Sequence, residues 1–227
     1  MKFAEVLSRC GILLNDVAAV RWPNTERLGW ANDGIKAICV VRPDAHTENV
    51  EFTLVPGARQ RVALLNARLL DVTNNVTIDG ENHIAGRAIT ITDREEMDRF
   101  DPAWRNARAS KTVKQFMHDA NDQDTFYVTP PNDGSGMVSA VCATLPLVVT
   151  EEDDEMPLDE RWSDAIVYYV CMRCYQKDGE FVPRAGEFQG LFIQQLAGEY
   201  QAKKSSQPNV TKAGGKPDLL AQSLGGI

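Results

Sequence analysis

NTERLGWANDGIKAICVVRPDA, residues 24–45, decides the fold, because one periodicity ends inside it and another begins beyond it. Leu28, Ala31, Ile35 and Ile38 recur at three- and four-residue steps, which places them on one helical face. Asn24 ahead of Thr25-Glu26 offers a capping residue and an acidic first turn, so a helix is expected from there to about Val41. Arg42-Pro43 stops it, since proline pushes the preceding residue out of helical geometry. Trp30 lies off the apolar face, and a subunit contact is expected at that position.

Upstream, Phe3, Val6, Leu7, Cys10, Leu13 and Leu14 form the face of a first helix, expected to continue through Val17–Val20 and to end at Trp22-Pro23. Downstream of Pro43 the pattern turns to short runs at 50–54, 61–64, 69–76, 87–92, 112–118, 126–129 and 137–145, which read as strands. Pro56-Gly57, Asp79-Gly80, Asn121-Asp122 and Asn132-Asp133-Gly134 supply the reversals between them. The clearest hairpin is VKQFMHDANDQDTFYVTPP, residues 113–131, and a short helix is expected near 93–98. Beyond the acidic run Glu151–Glu155, Trp162, Ala165, Ile166, Tyr169 and Met172 predict a third helix ending at Gly179. Ala185, Phe188, Phe192 and Leu196 predict a fourth, reaching about Lys203.

The expected class is therefore α+β. About four helices form a helical bundle domain, residues 1–43 and 156–204, interrupted by a β-rich insertion at 44–155 and followed by a flexible C-terminal tail at 205–227.

The 227 residues are 43% hydrophobic and 25% charged, an ordinary globular composition with a net charge of -8. That balance opposes duplex-DNA reading, except where a segment reverses the sign. One does: residues 201–227 hold Lys203, Lys204, Lys212 and Lys216 against Asp218 alone, leaving +3 there and -11 in the rest. Leu219, Leu220, Leu224 and Ile227 add an apolar end, so the segment reads either as a plainly disordered tail or as a docking peptide that orders on a partner. The longest apolar run, Ala165–Met172, falls far short of the roughly 18 residues of a membrane span, and Glu5, Arg9 and Asp16 break up the N-terminal stretch, so synthesis in a cytoplasm is expected.

Catalytic and metal chemistry find little support. Cys171-x-x-Cys174 lacks the second ligand pair of a zinc site, because Cys10, Cys39 and Cys142 are scattered singly, and core packing is the better reading. The string Asp119, Asn121, Asp122, Asp124 resembles an oxygen-ligand loop but has Asp124 where a calcium loop needs glycine and Pro130 where it needs glutamate. His46, His83 and His118 stand near no recognisable nucleophile, and no phosphate-binding glycine motif is present. No catalytic, cofactor or metal residues are expected, and a thiol- or metal-dependent enzyme is the weaker alternative.

Five ordered blocks carry a specific resemblance: RWPNTERLGWANDGIKAICVVRPDA (21–45), FTLVPGARQRV (52–62), ITITDREEMDRFDPAW (89–104), DTFYVTPP (124–131) and MPLDERWSDAIVYYVCMRCYQKDGEF (156–181). Together they resemble the head-to-tail adaptor proteins of short-tailed bacteriophages, of the tail tubular protein A type. The resemblance implies a structural virion protein made in the host cytoplasm, forming a twelve-fold ring between the portal protein and the tail nozzle protein, through which double-stranded DNA passes without specific contact. It implies portal docking by the C-terminal segment (Lys203, Lys204, Leu219, Leu220, Leu224 and Ile227) and tail-side contact by the loop with Asp119, Asn121, Asp122 and Asp124. A head-closure or tail-completion protein of another phage family is the alternative within the same class.

Overall fold

The computed structural model describes residues 1–64, 67–119, 121–179 and 182–206, the last four by backbone alone. The chain is mixed α+β and divides into two units, residues 1–42 with 147–227 and residues 43–146. Among the described residues there are five helices and two sheets.

In the first unit, α1 (Phe3–Leu13), α2 (Asn24–Val41) and α5 (Val182–Ser206) all pack against one helix, Ser163–Asp178. That helix, α4 once the short α3 (Arg94–Phe100) of the other unit is counted, can hold a central place because its buried residues run almost all round it: Ala165, Ile166, Val167, Val170, Cys171, Met172, Cys174 and Tyr175. The face of α5 is narrower and holds the expected Ala185, Phe188, Phe192 and Leu196, with Phe188 stacked on Tyr175 and Phe192 edge-on to Tyr169.

The first helix is shorter than its apolar pattern suggested, ending at Leu13 instead of reaching Trp22. The cause is Asp16, whose carboxylate accepts hydrogen bonds from the backbone N–H groups of Val20, Arg21 and Trp22 at 2.9, 3.1 and 3.0 Å and so holds the chain in a tight loop. Asn15 and Ala19 adopt positive φ of 53° and 52° within that loop. Asn24 makes no capping bond; its amide donates instead to Glu152 at 3.1 Å.

Residues 147–155, at the end of the expected insertion, belong with the helices. The physical reason is one buried carboxamide. Asn32 on α2 donates to the Val149 carbonyl and accepts from the Val149 N–H, both at 2.9 Å, as a neighbouring strand would. The N–H groups of Phe3 and Ala4 add bonds to the Asp154 and Glu152 carbonyls. Asn32→Ala leaves both Val149 groups without a partner, so a loss of about 2–3 kcal/mol is expected, together with faster amide exchange at Val149. Unchanged exchange at Val149 would show that something else anchors the segment.

In the second unit, strands β1 (Thr47–Thr53), β8 (Met137–Ala143), β3 (Arg68–Asp79) and β4 (Asn82–Ala88) form one antiparallel sheet in that order. The other sheet runs β2 (Gly57–Arg61), β7 (Thr125–Asn132), β6 (Gln115–His118) and β5 (Thr90–Ile91), with β5 parallel to β6. Phe52, Val72, Val138, Ala140 and Cys142 from the first sheet share one core with Phe116, Phe126 and Val128 from the second. A smaller core joins Trp104, Ala58 and Met117 with Met97 of α3 (Arg94–Phe100), the helix that Asp93 caps through the Glu95 and Glu96 N–H groups.

Buried carboxamides tie the irregular connections down here as well. Asn75 donates to the Arg87 and Val113 carbonyls at 2.9 and 2.8 Å and accepts from the Val113 N–H at 2.8 Å. Asn132 donates to the carbonyls of Ser110 and Lys111 and accepts from the N–H groups of Gly134 and Gly136. A Cβ at Gly136 would lie 2.3 Å from the Asn132 amide and 2.4 Å from the Lys111 carbonyl, so only glycine fits that approach.

Candidate interaction surfaces

The hairpin of β6 and β7 forms as its sequence suggests, and its loop can be built residue by residue. The Asp119 carboxylate accepts from the Asn121 N–H at 2.9 Å and from the Tyr127 hydroxyl at 3.1 Å, with Arg94 at 3.8 Å. Asp122 accepts from the Thr125 hydroxyl at 2.7 Å. The Arg61 guanidinium donates twice to one Asp124 oxygen, at 2.9 and 2.7 Å, and Arg59 stands 3.9 Å from Asp122. These contacts hold two carboxyls below their ordinary range. For Asp119 the Asn121 N–H leads, followed by the Tyr127 hydroxyl and Arg94; for Asp124 the hydrogen bond with Asp122 leads, followed by Arg61. The loop is thus a charge-balanced surface of carboxylates and arginines. Among the described residues no group of histidine, cysteine and acidic side chains is arranged to hold a metal ion.

Trp30 is half-buried on α2, with the Lys177 ammonium 6.0 Å from its ring and Lys177 itself paired to Glu26 at 2.5 Å. The remaining tryptophans are core residues: Trp22 lies edge-on to Tyr175, Trp104 donates to Asp98 at 2.8 Å, and Trp162 sits under the Arg42 guanidinium. Arg42 is itself buried, facing Trp162 and Tyr200 at 5.7 and 5.4 Å and so joining the end of α2 to α5.

Lys203 and Lys204 fall in the last turns of α5, where only the backbone is described, and Leu219, Leu220, Leu224 and Ile227 lie outside the described residues.

All five cysteines are buried. The Cys171 thiol is pushed up by its hydrogen bond with Cys10 and by burial, and burial pushes Cys174 up to about 12 and Cys39 to about 11. Thiols that stay protonated at neutral pH are poor nucleophiles and poor metal ligands. An aromatic disulfide reagent should therefore label fewer than about one thiol per native chain, and all five once the chain is unfolded. Rapid labelling of Cys171 or Cys174 in the native protein would contradict this packing.

A different surface was not legible as such. Ile12, Val17 and Val20 are 66%, 73% and 82% exposed around the Asp16 loop, with Leu13 beside them. Leu13 and Val17 had the spacing of core residues; the early end of α1 turns Val17 outward, and Leu13, the last residue of the helix, is exposed as well. Beneath them Arg27, 1% exposed, donates to the Asp16 carbonyl at 2.8 Å and to its carboxylate at 2.7 Å. Burial opposes the Asp16 charge, but the N–H groups of Trp22 and Val20, the Arg27 guanidinium and the Arg21 N–H outweigh it and hold the carboxyl below its ordinary value.

The model of the SU10 adaptor protein family matches residues 1–212. The chain belongs to that family. The match takes in all five blocks quoted above and bears out their adaptor resemblance. As a phage adaptor the chain is a structural protein of the virion. No curated protein matches it. Among the described residues no helix is long and apolar enough to cross a membrane.

Proposed function

We propose that the chain is the head-to-tail adaptor of a phage particle, joining the portal protein to the tail nozzle protein as a ring of identical copies that extends the DNA channel. The observation that carries the reading is the adaptor-family match across residues 1–212. The charge division supports it: a body of net -11 lets DNA slide past, and a +3 C-terminal segment with an apolar end suits docking onto another protein.

Within this reading the segment from Lys203 to Ile227 docks on the portal, the loop of Asp119, Asn121, Asp122 and Asp124 faces the nozzle, and Trp30 lies at a contact between copies. The helical domain carries one contact between copies, at Trp30, and the β-rich unit presents the loops. Removing residues 205–227 is expected to abolish capture by purified portal protein. Unchanged capture would overturn the docking assignment. Replacing Asp119, Asp122 and Asp124 together by serine is expected to weaken nozzle attachment while portal capture persists. Electron-microscope class averages of chain and portal together should show a ring on one face of the portal, and averages without a ring would contradict the reading as a whole.

A further inference from the structure

The sheet β1-β8-β3-β4 has two open edges, and they match one another. The edge strands β1 and β4 are both seven residues long. Each neighbouring pair in the sheet is antiparallel, so β1 and β4 run in opposite directions. Every residue of β4 is exposed, and β1 is exposed except at Val50 and Phe52. Among the described residues neither strand makes a backbone hydrogen bond beyond those to its partner in the sheet, β8 for β1 and β3 for β4. Such edges present unpaired N–H and C=O groups to any strand that can reach them.

We propose that β1 of a second copy adds to β4, so that adjacent copies share one continuous antiparallel sheet. This rests on the reading of the chain as a ring of identical copies, and names the contact between them.

Two features select this occupant. A second copy in the same orientation places its β1 antiparallel to β4, continuing the alternation already present. Both strands are seven residues long, and β4 takes up one of its seven in a bulge where Gly86 and Arg87 face Asn75. The charges also discriminate: with Glu51 and His83 already paired to each other within the chain, β1 is left with Glu48 and no basic residue, and β4 with Arg87 and no acidic one. Antiparallel overlap brings Arg87, next to the end of β4, to Glu48, next to the start of the incoming β1. Pairing β1 with β1, or β4 with β4, offers no such pair of opposite charges. The contact is therefore head-to-tail, the kind that closes into rings. The contact within the chain between His83 and Glu51 joins β4 to β1 through side chains, not through main-chain groups.

The test is a crosslink in assembled particles. Thr47→Cys and Ala88→Cys introduced into one chain place thiols at the two ends that meet across the proposed contact, while the native cysteines are buried. Thr47 and Ala88 lie on opposite edges of one sheet, roughly 14 Å apart or more across two intervening strands, too far for a bridge within a chain. Mild oxidation should give a ladder of dimers, trimers and higher species that neither single variant gives. Arg87→Glu added to this pair should abolish the ladder, and Glu48→Lys in the same chain should restore it. Particles that contain many copies of the chain but give no ladder would overturn the shared sheet and leave the ring intact. Particles with a single copy would overturn both.

Discussion

Asp16→Ala is expected to destabilise the protein by about 3–5 kcal/mol, because it leaves the buried Arg27 guanidinium without its counter-ion. Arg27 has little else to turn to: its Nε has no hydrogen-bond partner among the described residues. The same change removes the acceptor for three backbone N–H groups that hold Asn15 and Ala19 at positive φ. Urea denaturation measures the loss, and a change below about 1 kcal/mol would mean that the pair is solvated in a way its 1% and 10% side-chain exposures do not suggest. Adding Arg27→Met to Asp16→Ala should recover part of the loss, because an apolar pair removes the unpaired charge.

The pH dependence has a definite sign. The Asp16 carboxyl is held below its ordinary value in the folded chain, so the unfolded chain binds its proton first as pH falls. The stabilisation is present above the unfolded carboxylate range and is lost as pH drops through the lowered folded value. The wild-type chain should therefore lose more stability than Asp16→Asn between neutral pH and the acid limb.

Asn75→Leu carries the second large effect, expected at about 3–5 kcal/mol from two orphaned backbone groups of Val113 and one of Arg87. Leucine has nearly the same shape, so the loss reports hydrogen bonding more than volume. Hydrogen exchange should quicken at Val113 first, and full protection there in the variant would show that the segment is held by other contacts.

The helices were legible because their apolar residues repeat at helical spacing. Leu28, Ala31, Ile35 and Ile38 are all buried, as are Ala185, Phe188, Phe192 and Leu196. The β6 and β7 hairpin was legible for a related reason, an apolar run on each side of a turn rich in Asn and Asp. Two strands were not. β4 is exposed along its whole length, so nothing in NHIAGRA alternates, and it is a strand because β3 offers it a partner. β2 begins at Gly57, inside what reads as a turn, and pairs with β7 across a register shift.

The adaptor class was legible in ordered sequence blocks, and the family match follows the same residues. The surfaces were less so. The acidic loop residues stand out in sequence, but their pairing with Arg59, Arg61 and Arg94 depends on strands and a helix distant along the chain.

Residue type and spacing therefore settled which segments form helices, where α2 stops and that the middle of the chain is β-rich. These are local properties, fixed by side-chain periodicity and by the backbone limits of proline. The tertiary structure decided where α1 ends, that residues 147–155 pack with the helices, and that Val17 and Val20 face outward. Each of those depends on a polar side chain meeting backbone groups of another segment, Asp16 those of Val20 to Trp22 and Asn32 those of Val149. Spacing along the chain carries no record of such a partner, and only the folded packing supplies it.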